Sequence, residues 1–173
     1  MKCVDATAAA AWMATSLPTT DPGFRRSVPG AIARPRSYEN LPAGHVLFFA
    51  KAALRWVIEG ESVAERATEV LLWVREYDIW PSSEHLPLEK ALRERWPDAG
   101  THETHPGLLA VPSDPRQHDD LVSYAYLAMN FGWGITLAGD RGGRVVHANH
   151  DGFLWALADD AADRAGAERW LND

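Results

Sequence analysis

Two short stretches crowd side chains of the kind that bind metals or move protons. They are His102-Glu103-Thr104-His105 and His147-Ala148-Asn149-His150-Asp151. Zinc takes two imidazoles from each of two segments, or three plus a carboxylate, so a cluster of His102, His105, His147 and His150 is the metal-centre reading. It supports a metal- or histidine-dependent hydrolase as one alternative function; a structural or regulatory protein-interaction module is the other. The spacing is not that of the zincin helix, in which two histidines lie four apart around a glutamate. Strand alternation also sends His147 and Asn149 to one face and His150 to the other. Turn-forming and surface histidines account for both stretches, so no metal and no cofactor is expected.

Other candidate groups are simpler as structure. His118 beside Asp119 and Asp120 has the types of a base and its orienting acid, but a helix start attracts the same residues. Cys3 lies at a terminus expected to fray. It is the only cysteine, so an intrachain disulfide is excluded. The serines form no nucleophile elbow. Gly139-Asp140-Arg141-Gly142-Gly143 lacks the Lys-Ser/Thr end of a phosphate loop and reads as a turn. No catalytic residue is assigned.

The elements that must position these groups follow from periodicity. Residues 18–42 hold five prolines and two glycines and read as an irregular arm of a single domain spanning 1–173. Residues 44–59 are apolar nearly all round, a buried helix stopped by Gly60. Ser62 and Glu65 form a capping box, with Val63, Ala67, Val70, Leu71 and Val74 at helical spacing after it. Further helices are expected at 84–96, 116–130 and 160–171. Asp5 or Thr7 caps a short alanine-rich helix near the start. Strands appear late, in Trp133–Leu137 and Arg144–His147 around a glycine turn, with a third at 153–157. The expected class is α+β: helices first, then a small antiparallel hairpin near the C-terminus and a final helix.

Charge narrows the partner. The chain carries 17 basic and 24 acidic side chains, net −7. Residues 1–58 are net +4 and residues 59–173 net −11. Such an acidic portion repels nucleic-acid phosphates and steers a basic partner. No apolar run is long enough to span a membrane. Asp5 interrupts any export signal, so cytoplasmic residence is expected. Trp80, next to Pro81, is a candidate exposed anchor.

The segment Phe131-Gly132-Trp133-Gly134-Ile135-Thr136-Leu137, a turn, then Val145-Val146-His147-Ala148-Asn149-His150-Asp151-Gly152 resembles the ending of small bacterial immunity proteins of polymorphic-toxin systems. The likeness covers about residues 117–157 and includes Asp119 and Asp120. Gly134 stands where that family often has an acid, Asn149 stands for Ser and Gly152 for Glu. The resemblance implies a non-catalytic protein that binds and neutralises a cognate toxin, a basic one by charge, with no nucleic acid and no membrane involved. Its contact face is expected from Trp80, Glu84, Glu89, Glu94, Asp119 and Asp120. His150 and Asp151 are then structural, with Asp151 accepting turn amides and His150 bridging nearby chain.

Overall fold

A computed structural model of the chain describes residues 1–16, 36–37, 41–60, 66–76 and 107–172. Four helices and seven strands are described, an α+β fold. The order is β1 (Lys2–Val4), α1 (Ala6–Ser16), β2 (Arg36–Ser37), α2 (Ala43–Glu59), β3 (Val70–Glu76), β4 (Gly107–Ala110), α3 (Pro115–Asn130), β5 (Gly134–Gly139), β6 (Val145–Ala148), β7 (Phe153–Leu157) and α4 (Ala161–Asn172). No helix among the described residues is long and apolar enough to cross a membrane.

The strands form one antiparallel sheet in the order β1-β4-β3-β5-β6-β7-β2. Strands from the whole length of the chain therefore meet in it. The expectation of a small C-terminal sheet is corrected on this point. The helix expected after Ser62 is corrected as well: Val70–Glu76 is a strand, paired on one side with β4 and on the other with β5. Val70 to Val74 is an unbroken apolar run, and an unbroken run satisfies helical and strand spacing equally. The run suits a strand covered on both faces. Residues 62–65 and 84–96 lie outside the described residues.

Both faces of the sheet are indeed covered. Val70, Leu72, Val74, Ile135, Leu137, Val146 and Ala148 join α2, α3 and α4 in the main core. Leu71, Trp73, Ala138, Val145 and Leu157 pack with Ala9 and Met13 of α1 in a second, smaller one. Period-two alternation produces this division, since consecutive side chains leave a strand on opposite sides. Cys3 sits within β1, opposite Leu108 of β4, and is half-buried rather than frayed. Of the proline-rich stretch, Arg36 and Ser37 add to the sheet edge beside Leu154 and Phe153. An edge is where a proline-rich segment can pair, because one side of it needs no amide donors.

Helix ends are satisfied locally. The Asp5 carboxylate accepts from the Ala8 amide at 2.7 Å and starts α1. Gly60, at φ 56°, ends α2 and donates its amide to the Trp56 carbonyl at 2.9 Å. Asp160 accepts from the Ala162 and Asp163 amides at 2.7 and 3.2 Å and starts α4.

Beneath these ends lies a buried ion pair that joins three elements. Arg144 leads into β6 and is 0% exposed, and Asp163 in the first turn of α4 is 2% exposed. Their N–O separation is 3.1 Å. The guanidinium also donates, over longer distances, to the Val57 and Ile58 carbonyls at 3.3 and 3.4 Å. Those are carbonyls of the last turn of α2, which has no intrahelical donors for them. Each ion sits at the helix end whose dipole favours it, the cation at a C-terminus and the carboxylate at an N-terminus. The Trp56 indole donates to the Asp163 carbonyl at 3.1 Å and closes the same junction.

Candidate binding surface

The site is built from the loop that follows β4. Asp114 is the N-cap of α3 and accepts from the Arg116 amide at 2.9 Å. Pro115 follows at the first helical position, where its missing amide costs nothing. The Gln117 side chain reaches back twice, donating to Asp114 at 2.9 Å and accepting from the Val111 amide at 3.0 Å. This is a variant of the capping box, and it fixes the entry of the chain into the helix. Asp119 and Asp120 lie beyond the first turn, so the capping work falls to Asp114 and not to that pair.

The fixed loop forms one wall of an open cleft of about 800 Å³, with Val111, His118 and Asp119 on one side and Arg66, Thr68 and Arg141 on the other. Asp140 positions the second wall. Its carboxylate accepts from the Thr68 amide at 2.8 Å, the Thr68 hydroxyl at 2.5 Å and the Glu69 amide at 3.1 Å. The start of β3 is thereby tied to the β5–β6 turn that carries Arg141. Asp119 is 85% exposed and lies 3.5 Å from His118 Nδ1. A carboxylate so open to water neither desolvates an imidazole nor holds it rigidly, as a catalytic pair requires. Asp120 is half-buried. Val111 is a large apolar side chain left exposed, as are Phe48 and Phe153 among the described residues. The cleft presents charges of both signs beside an apolar knuckle, an arrangement suited to gripping another surface.

The remaining expected site residues fall as follows. Trp80, Glu84, Glu89, Glu94, His102 and His105 lie outside the described residues. His147 faces across the sheet, with its Nδ1 3.2 Å from the Thr136 hydroxyl, and stacks on Trp155 at 5.8 Å and 29°. His150 lies in the turn after β6, 3.4 Å from Asp151. Among the described residues, no three His, Cys, Asp or Glu side chains come together to hold a metal ion. The amide-accepting role expected of Asp151 belongs to Asn149. Asn149 Oδ1 accepts from the Phe153 amide at 2.9 Å, and its Nδ2 donates to Asp151 at 3.0 Å. A side-chain amide both accepts and donates, so it closes this turn more completely than a carboxylate can. The bracing roles of Asp140 and Gln117 have no sequence signal beyond the cap spacing of Asp114 to Gln117.

Two caps leave a mark on acid stability. The Gln117 side chain, then the Arg116 amide, hold the Asp114 carboxyl below the ordinary value of 3.8. The Asp163 and Ala162 amides do the same for Asp160. A carboxyl whose folded pKa is depressed stabilises the fold fully above its unfolded pKa and loses that contribution as pH falls through the folded value. Urea midpoints are therefore expected to drop on acidification below about pH 4. The drop should be shallower in an Asp114→Asn, Asp160→Asn double variant. Identical profiles for the two proteins would contradict this assignment.

No protein-family model, no curated protein and no solved structure matches this chain.

Proposed function

We propose that this chain is an immunity-type binding protein, which captures and neutralises a basic toxin without chemistry of its own. The observation that carries the reading is Asp119, a carboxylate exposed at the rim of an open cleft on α3, a helix whose entry Asp114 and Gln117 fix. A preorganised charged rim lowers the ordering cost of association. The net charge of −7 supplies the long-range attraction, and it raises the on-rate for a basic protein. Arg66 and Arg141 across the cleft give the face a pattern of both signs, which selects a register once the partners touch. The resemblance of residues 117–157 to immunity proteins points to the same class of partner. Trp80, Glu84, Glu89 and Glu94 stay proposed contact residues on this reading and lie outside the described residues.

Charge reversal tests it. With a basic toxin domain as partner, one to be sought among the neighbouring genes, Asp119→Lys with Asp120→Lys should slow association about tenfold at low salt. Asp119→Asn should have a smaller effect in the same direction. Wild-type kinetics in the doubly reversed protein would remove this cleft from the interface.

A further inference from the structure

We propose that the groove between α2 and α4 is a docking site for an acidic amphipathic segment of a partner protein, separate from the toxin-binding face. The groove holds about 610 Å³, with Phe48, Lys51, Arg55 and Trp56 supplied by α2 and Arg169 and Trp170 by α4. Its wall on α2 is a stripe. Phe48, Lys51, Ala52 and Arg55 recur at three- and four-residue spacing on the side opposite the buried Phe49, Ala53, Leu54 and Val57. Lys51 and Arg55 stand one turn apart, about 6 Å along the axis.

Three observations define the occupant. The first is charge. In a chain of net −7 this groove gathers three cations and one carboxylate, Glu59. Glu59 is already shared between Arg55 at 2.9 Å and Arg66 at 3.8 Å. Lys51 makes no ion pair among the described residues. The second is the exposed apolar lip: Phe48 is 45% exposed and is held edge-on against Phe49 at 5.6 Å. The third is the floor. Trp56 and Trp170 lie 6.3 Å apart. Trp170 is only 9% exposed and closes the groove from below. A seated segment offers carboxylates to the basic wall, and an aromatic or leucine side chain to Phe48 and the tryptophan floor. Helix-in-groove docking uses such a spacing of anchors.

A labelled helical peptide of about fifteen residues, with Glu along one side and Leu and Phe along the other, is the probe. It is titrated with the full chain by fluorescence anisotropy. Saturable binding is expected, with a change in tryptophan emission. Lys51→Glu with Arg55→Glu should weaken it about tenfold or more, as should replacing the peptide's Glu by Gln. Phe48→Ser should weaken it with the melting temperature kept, since the side chain is exposed. Absence of saturable binding up to about 1 mM overturns the proposal. That outcome includes the case in which this chain's own acidic residues already fill the groove. Equal binding by the doubly reversed protein, or by the Gln peptide, overturns it too.

Discussion

Arg144→Ala is expected to destabilise the protein by about 3–5 kcal/mol, the usual cost of removing one partner from a buried ion pair. The cause is what remains rather than what is lost. Asp163, 2% exposed, would keep a carboxylate in the interior without its cation. The Val57 and Ile58 carbonyls at the end of α2 would lose donors in the same step. Two glycines show how closely the site is shaped around the guanidinium. Gly60 and Gly142 both have positive φ, and a Cβ at either would overlap Arg144. The pair itself adds little net stability, because desolvating two ions offsets most of their attraction. Arg144→Met with Asp163→Leu should therefore recover most of the single-variant loss. Urea unfolding at matched slope reads both numbers. A single variant within about 1 kcal/mol of wild type would mean that water reaches the junction.

Trp133→Ala should cost a similar amount, about 3–5 kcal/mol. Trp133 is fully buried, stacks on Phe131 at 5.9 Å and 26°, and meets the edge of Tyr124 at 6.3 Å. Its own amide donates to the Ala128 carbonyl at 2.8 Å, so the ring sits where α3 ends and β5 begins. Removing it leaves a large cavity between helix and sheet that rigid neighbours cannot fill. For a chain of 173 residues the loss corresponds to roughly 10 °C in thermal midpoint. Trp133→Phe keeps a ring against Phe131 and should fall between the two. A midpoint unchanged in Trp133→Ala would show that the main core does not depend on this ring.

What was legible in the sequence was local. The continuous apolar surface of residues 44–59 and the glycine after it mark α2, which runs Ala43–Glu59. Asp5 ahead of an alanine run marks α1, and apolar spacing marks α3 and α4. What was not legible depends on partners distant in the chain. Val70–Glu76 carries no period of its own, and only pairing with β4 and β5 makes it a strand. The strands β1 and β4 have three and four residues, too few for alternation to register. Arg144 opens the expected strand Arg144–His147, and nothing in that window marks its side chain as buried. Its burial depends on an α2 end and an α4 start that no sequence window contains. Of the binding surface, the acids at 119 and 120 were legible as types. The cleft was not, because its second wall is set by Asp140 reaching back to Thr68 across 72 positions.

The proposed function rests on electrostatic capture of a basic protein. It is tested most directly by the association rate with the purified toxin domain across a range of ionic strength. The rate is expected to fall steeply between about 50 and 500 mM salt, as screening shortens the reach of the −7 field, with the dissociation rate much less affected. A rate constant independent of salt, or no complex at any salt, would contradict it.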